Sequence, residues 1–275
     1  MNRLNNFFNT LWQQYTAICP QALAIHTLFE SEGEALVNDH VAFRTFSNSC
    51  IEMDQLENEI FTLGYSHFDD YHFELKKLNA RSYVHTRSPT KIFISELITE
   101  DLSESAQNII KRLTCQVNQT STVALSAGRL WGMPSYFEYQ TLLEESEYAA
   151  WLSVWGLRAN HFTLSVNHFK KYAQIADLIS FLHENNFTFN TSGGLVKGTE
   201  SDLLIQAATM ADQQSIAFSD QNKQQVSSCY YEFAQRFKDP SGQLYQGFVT
   251  ENADKIFEST NQSTAPFFDQ NSNKT

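Results

Sequence analysis

The chain has 275 residues, with 19 Lys and Arg against 31 Asp and Glu and a net charge of −12 at neutral pH. That balance repels phosphate backbones and anionic bilayers, so nucleic acid and membrane surfaces are excluded as expected partners. With 42% hydrophobic residues, 22 Phe and 11 Tyr among them, the chain can bury a large core, and wholesale disorder is excluded as well.

Residues 5–34 carry apolar side chains at three-to-four spacing, broken at Pro20, which predicts two helices within a helical N-terminal segment, 1–36. MNRLNNFFNTLWQQY lacks the apolar stretch of a signal peptide, and no later run approaches the roughly 18 to 20 apolar residues that span a bilayer, so a cytoplasmic enzyme is expected. Residues 37–100 read as one βαβββ unit: a strand over 37–46, an amphipathic helix from Met53 ending at Gly64, then strands over 71–78, 82–86 and 91–98. A connector, 101–156, is mainly helical, with ESAQNIIKRL and EYQTLLEESEYAAWLSVW on either side of a loop from Gly128 to Pro134. A second βαβββ unit spans 157–250, with a strand over 158–166, a helix over 170–184, and strands over 186–191, 203–210, 215–218 and 229–237. The tail, 251–275, turns polar after Thr260, with Phe267 and Phe268 as an anchor. The whole, 1–275, is read as a single catalytic domain. Cys19, Cys50, Cys115 and Cys229 form no CxxC pair and are read as free thiols of a reducing compartment.

The two units align with each other. Asn38-Asp-His-Val beside Ala159-Asn-His-Phe matches His40 with His161, each following an Asp or Asn. At the far end of each unit Phe93-Ile-Ser-Glu aligns with the segment before Phe233, matching Glu96 with Glu232. The longer His-to-Glu separation in the second unit places an insertion at Gly193-Gly194 and 219–228.

Alternation along a strand puts His40, Ala42 and Arg44 on one face, and Tyr230, Glu232, Ala234 and Arg236 on one face. Ionisable groups on the buried face of a strand need a partner or a metal. Two imidazoles and a carboxylate make the facial triad that holds Fe(II) with positions left open, although Zn, Mn or Ni suit the same ligands. His40, His161 and Glu232 are therefore the candidate metal ligands. Arg44 is the candidate catalytic residue, a guanidinium placed to clamp a substrate carboxylate, with His40 and His161 bordering the same substrate. A lone His opening a strand is more often a core or turn residue; the repeat is what favours a site.

Glu96 is read as a partner behind the ligands or a relic of duplication ahead of a fourth ligand. His72 and His85 lie on strands that reach the same cavity, and Arg81 and Arg87 are candidate anion binders. His26, His67, His168 and His183 are set aside as helix or loop residues. Gly193, Gly194 and Gly198 match no phosphate-loop pattern and suit a loop over the cavity.

The stretches NDHVAFRTF, GLRANHFTLSV, YYEFAQRF and ADKIFEST resemble the 2-oxoadipate dioxygenase/decarboxylase family of the vicinal oxygen chelate superfamily, over nearly the whole chain. The resemblance implies an α+β fold, with two βαβββ units forming a curved sheet around a metal cavity and added N-terminal and connecting helices. It implies an Fe(II) enzyme that converts 2-oxoadipate and O2 to D-2-hydroxyglutarate and CO2, a late step of lysine breakdown. By motif, His40, His161 and Glu232 match the family's metal ligands and Arg44 its substrate-binding arginine. Longer members carry segments that this chain lacks. Two alternatives stay open: a glyoxalase-like lyase or epimerase on Zn, Ni or Co with Glu96 as fourth ligand, and a non-catalytic binding module. The oligomeric state, a homodimer included, is left open.

Overall fold

Proline cannot make the backbone bond that a helix interior requires, but it suits the first turn, where the amide would be unpaired anyway. Pro20 accordingly opens α2 (Pro20–Ser31), directly after α1 (Asn2–Thr16). The computed structural model describes residues 2–117 and 123–261. The expectation for Phe267 and Phe268 lies outside the described residues.

The first unit comprises β1 (Asn38–Phe46), α3 (Met53–Thr62), β2 (Tyr65–Phe73), β3 (Leu78–His85) and β4 (Ser88–Leu97). β2 begins six residues before the expected position 71 because Ser66 to Asp70 are all exposed, which leaves no apolar alternation to signal a strand. It also ends early. The chain reverses through a 3-10 turn, Glu74–Lys76, closed by Lys77 at a φ of 55°, so a single strand over 71–78 does not form.

The connector holds α4 (Glu104–Thr114), α5 (Tyr136–Glu145) and α6 (Glu147–Trp155). Helical spacing runs unbroken through Ser146, yet its backbone is extended and its side chain accepts the Ala149 amide, which starts a new helix there.

The second unit comprises β5 (Ala159–Ser165), α7 (Ile175–Glu184), β6 (Leu204–Ala208), β7 (Gln213–Ala217), β8 (Lys223–Ser227) and β9 (Tyr230–Arg236). The helix expected from position 170 starts at Ile175 because the amides of Lys170, Lys171 and Tyr172 donate to the Glu34 carboxylate. Residues 186–191 form no strand and contribute one bridge, Phe189 to Thr209. The strand expected over 215–218 pairs with β8 in a separate hairpin instead of joining the main sheet.

The main sheet runs β2-β3-β4-β1-β5-β9-β6. Each unit pairs its first and last strands in parallel, β1 with β4 and β5 with β9, and the units meet through antiparallel β1 and β5. Trp12 and Tyr15 of α1 pack on Phe162 and Tyr231 and cover one face. The other face is concave: α8 (Thr250–Ile256) contacts both edge strands, β2 and β6, which only a curled sheet permits. Phe257 against Phe73 and the Asn252 amide donating to the Leu204 carbonyl hold this closure at its two sides. The fold is α+β with a vicinal-oxygen-chelate-like curved sheet. Among the described residues, no helix is long and apolar enough to cross a membrane.

Candidate metal centre

Residues paired across neighbouring strands share a face. His40 pairs with Thr163, which pairs with Glu232; Ala42 pairs with His161, which pairs with Tyr230. Two adjacent rows of the concave face thus carry two imidazoles and a carboxylate from three strands. Their ligand atoms lie within 4.8 Å of one another. His40 Nε2 is 3.7 Å from Glu232 Oε1, and His161 Nε2 is 3.3 Å from Glu232 Oε2. All three residues are buried.

The outer ring nitrogens are held from behind. His40 Nδ1 lies 2.8 Å from Asp39 Oδ1 and His161 Nδ1 lies 3.1 Å from Asn160 Oδ1. An oxygen acceptor there keeps the proton on Nδ1 and turns the Nε2 lone pair inward. Successive strand residues normally face opposite ways; a register shift between Asn38 and His40 accompanies the placement of Asp39 beside His40. Arg236 in turn donates to both Asp39 oxygens, at 2.6 and 2.9 Å. Burial alone would raise the Asp39 carboxyl, but Arg236 and Lys91 hold it well below the usual range.

The donor set fits a divalent metal. Gln206 Nε2 donates to Glu232 Oε1 at 2.7 Å, whereas Glu232 Oε2 is buried without a hydrogen-bond partner. With the His161 proton on Nδ1, that oxygen faces a second lone pair, and a cation between the two relieves both. Burial, with help from His40 and Arg44, pushes His161 well below its ordinary value, which keeps the ring neutral and ready to ligate; burial raises Glu232.

Arg44, two residues beyond Ala42 on the same strand face, is 1% exposed. Its guanidinium lies over the rings of Tyr148 and Trp151, at 4.8 and 5.0 Å. Nη1 donates to Glu147 Oε1 and Oε2 at 3.2 and 3.3 Å, and Nη2 to Thr260 Oγ1 at 3.1 Å, while Nε has no partner. These residues border a cavity of about 600 Å³; the triad lies behind Arg44 and is not part of its lining.

Other candidate residues fall elsewhere. Glu96 pairs with Thr45, on the opposite face of the sheet from Arg44, and accepts the Met53 amide at the start of α3, at 2.6 Å. Its placement removes it as a fourth ligand or as a partner of the triad. His72 is exposed and bonds Asn79; His85 packs on Tyr65 at the hairpin end and accepts the Arg87 amide. Neither reaches the triad. Arg81 is held by Asp54 and Glu57, also away from it. Conversely, Thr163 Oγ1 lies 3.1 Å from His40 Nε2, Gln206 donates to Glu232, and the Glu232 carboxylate acts electrostatically on the Lys197 ammonium. The Asp or Asn before each His was a visible signal for Asp39 and Asn160, and the strand face a signal for Arg236. Gln206 and Lys197 carry none.

Fold and site define a vicinal-oxygen-chelate-like architecture with two histidines and one carboxylate gathered as a candidate metal site. The same fold recurs in a Ralstonia eutropha protein provisionally assigned to the glyoxalase superfamily, 20% identical with a TM-score of 0.72 over 88% of this chain and 84% of that one. The family described as 2-oxoadipate dioxygenase/decarboxylase matches residues 7–129 and 122–243. A chloroplastic/amyloplastic 2-oxoadipate dioxygenase/decarboxylase of Oryza sativa subsp. japonica is 34% identical, over 93% of this chain and 79% of its own length. The crystal structure of hydroxyglutarate synthase from Oryza sativa, in complex with 2-oxoadipate, is 31% identical with a TM-score of 0.89, covering 94% of this chain and 92% of that one. A Shewanella frigidimarina crystal structure provisionally described as a hydrolase is 41% identical with a TM-score of 0.85, covering 90% of this chain and 98% of that one. The chain belongs to the 2-oxoadipate dioxygenase/decarboxylase family.

Proposed function

We propose that this chain is an iron(II)-dependent enzyme that converts 2-oxoadipate and O2 to D-2-hydroxyglutarate and CO2, in lysine breakdown. The observation that carries the reading is the buried face-to-face pair of Glu232 Oε2 and His161 Nε2, with His40 completing a three-ligand set. Two imidazoles and one carboxylate are the donor set of non-haem iron(II) oxygenases. When bound, iron(II) supplies a chelation point for a 2-oxo acid and the means of activating O2. Family membership supports 2-oxoadipate as the acid. Localisation in the cytoplasm belongs to the same proposal, supported by free cysteines that suit a reducing compartment.

The chain's own residues bind, orient and exclude water. Asp39 and Asn160 fix the ring orientations of His40 and His161. Arg44 holds the far carboxylate, and the substrate displaces Glu147 from Nη1 as it enters from the adjoining cavity. Fixing that end holds the carbon to be hydroxylated next to the metal position. Phe248, whose ring lies 4.8 Å from His40, and Tyr230, stacked 4.7 Å from His161, keep bulk water from the triad.

The reaction balances without an external reductant. The bond from the keto carbon to the neighbouring carboxylate breaks and releases CO2. One oxygen atom enters the new carboxylate and the other the hydroxyl. The test is product analysis under ¹⁸O2: 2-hydroxyglutarate labelled in both groups is expected, and unlabelled product, or turnover without O2, contradicts the proposal. The lyase alternative with Glu96 as fourth ligand loses support from the position of that residue on the far face of the sheet.

A further inference from the structure

Two lysines, Lys91 and Lys197, are buried. Lys91 lies beside the Asp39 and Arg236 pair. Lys197 is placed differently. It precedes β6 and exchanges two backbone bonds with Gln206, Lys197 N to Gln206 O at 2.8 Å and Gln206 N to Lys197 O at 2.9 Å. Antiparallel residues paired in this way project from the same face. The Gln206 side chain donates to Glu232, so Lys197 projects on the face that carries the triad.

Its ammonium donates to the Asn190 carbonyl, and the Asn190 side chain holds the C-terminal segment through the Lys255 carbonyl and Ser259 Oγ. Lys197 therefore lies between the sheet and its cover, fully buried. Among the described residues, that carbonyl is its one hydrogen-bond acceptor, which leaves two ammonium protons uncommitted. A buried cation is costly unless an anion meets it. Burial pulls the Lys197 ammonium down to about 8, and Glu232 offsets this only in part; Glu232 Oε1 accepts from Gln206 and Oε2 faces His161.

Register sets Lys197 and Arg44 on opposite sides of the triad. The triad occupies the His40–Thr163–Glu232 row and the Ala42–His161–Tyr230 row. Arg44 lies one row beyond the second. Gln206, level with Ala234, lies one row beyond the first and brings Lys197 with it. A ligand centred on the triad with one end on Arg44 points its other end toward Lys197.

We propose that Lys197 is a second anion-binding residue on the face of the triad, taking the carboxylate next to the keto group of a 2-oxo diacid while Arg44 takes the far carboxylate. The inference rests on the function proposed above. Two matched probes separate the ends: 2-oxohexanoate replaces the far carboxylate of 2-oxoadipate by methyl, and 5-oxohexanoate replaces the near one.

Affinities are measured by isothermal titration calorimetry on the iron(II)-loaded protein in the absence of oxygen, so the readout does not depend on turnover. Lys197→Met is expected to weaken 2-oxoadipate and 2-oxohexanoate about tenfold and to leave 5-oxohexanoate unchanged, the size of one charge-assisted hydrogen bond. Arg44→Met is expected to weaken 2-oxoadipate and 5-oxohexanoate and to spare 2-oxohexanoate. An equal change for all three probes in Lys197→Met, or no change, overturns the assignment. If that variant does not fold, a crystal structure of the wild type with 2-oxoadipate decides: a carboxylate oxygen at hydrogen-bond distance from Nζ supports it, and Nζ bonded to Asn190 alone overturns it. A wild type that binds none of the probes contradicts the proposed function itself, whereas normal wild-type selectivity retained in Lys197→Met sinks only the role of Lys197.

Discussion

At the scale of single residues, the site is built by neighbours that fix one another. His40 is held by Asp39, and Asp39 by Arg236. Asp39→Asn is expected to lower metal affinity by roughly 10- to 100-fold, read by titration with a chromophoric chelator, because the ring loses the acceptor that orients it. It also leaves the buried Arg236 without its counter-charge, for which a loss of about 3 to 5 kcal/mol in denaturant unfolding is expected. The pH dependence follows in sign. The Asp39 carboxyl is held below its unfolded value, so its contribution is fully present above about pH 4 and fades as pH falls through the folded value. Acid unfolding of the wild type is expected to show that loss and Asp39→Asn to lack it; superimposable acid profiles would contradict the coupling. Arg44→Met is expected to raise the KM for 2-oxoadipate by roughly 10- to 100-fold, the value of a charge-assisted contact, with metal content unchanged.

At the scale of elements, a few residues decide where the chain turns. Gly156 joins α6 to β5 with a φ of 69°, and a Cβ there would stand 2.3 Å from Arg129 Cα and 2.5 Å from Gly128 O. Those are backbone atoms that cannot swing aside. Gly156→Ala is therefore expected to cost roughly 2 to 3 kcal/mol or more in thermal or denaturant unfolding, and a neutral result would show that the joint relaxes. Elements with one apolar face, such as α3 and α4, are legible from spacing alone. β2 is not, because five consecutive exposed residues hide its alternation. α7 starts late because the Glu34 carboxylate, far away in sequence, claims the amides that would have begun the helix. β7 looks like a sheet strand by composition, but which strand it pairs with is a tertiary choice.

At the scale of the whole molecule, charge is distributed against its average. The chain carries −12, yet among the buried groups around the triad Arg44, Lys91, Lys197 and Arg236 outnumber Asp39 and Glu232. A surplus of buried positive charge suits an anionic substrate, which a net charge on its own would not suggest. The internal repeat made His40, His161 and Glu232 legible, since equivalent strands placed the same residue types at the same ends. It misdirected Glu96, because equivalence in an alignment does not fix which face a residue takes: Glu96 is level with Thr45 and turns toward α3. Gln206 and Lys197 stayed hidden because their placement on the face of the triad depends on β6 and a bridge that precedes it.

One experiment decides between this enzyme and its alternatives: oxygen consumption by the iron(II)-reconstituted protein on adding 2-oxoadipate, with His161→Ala alongside. The expected result is one O2 consumed per 2-hydroxyglutarate formed, abolished in the variant. Tight metal binding by the wild type with no oxygen consumed on any 2-oxo diacid would contradict the dioxygenase assignment.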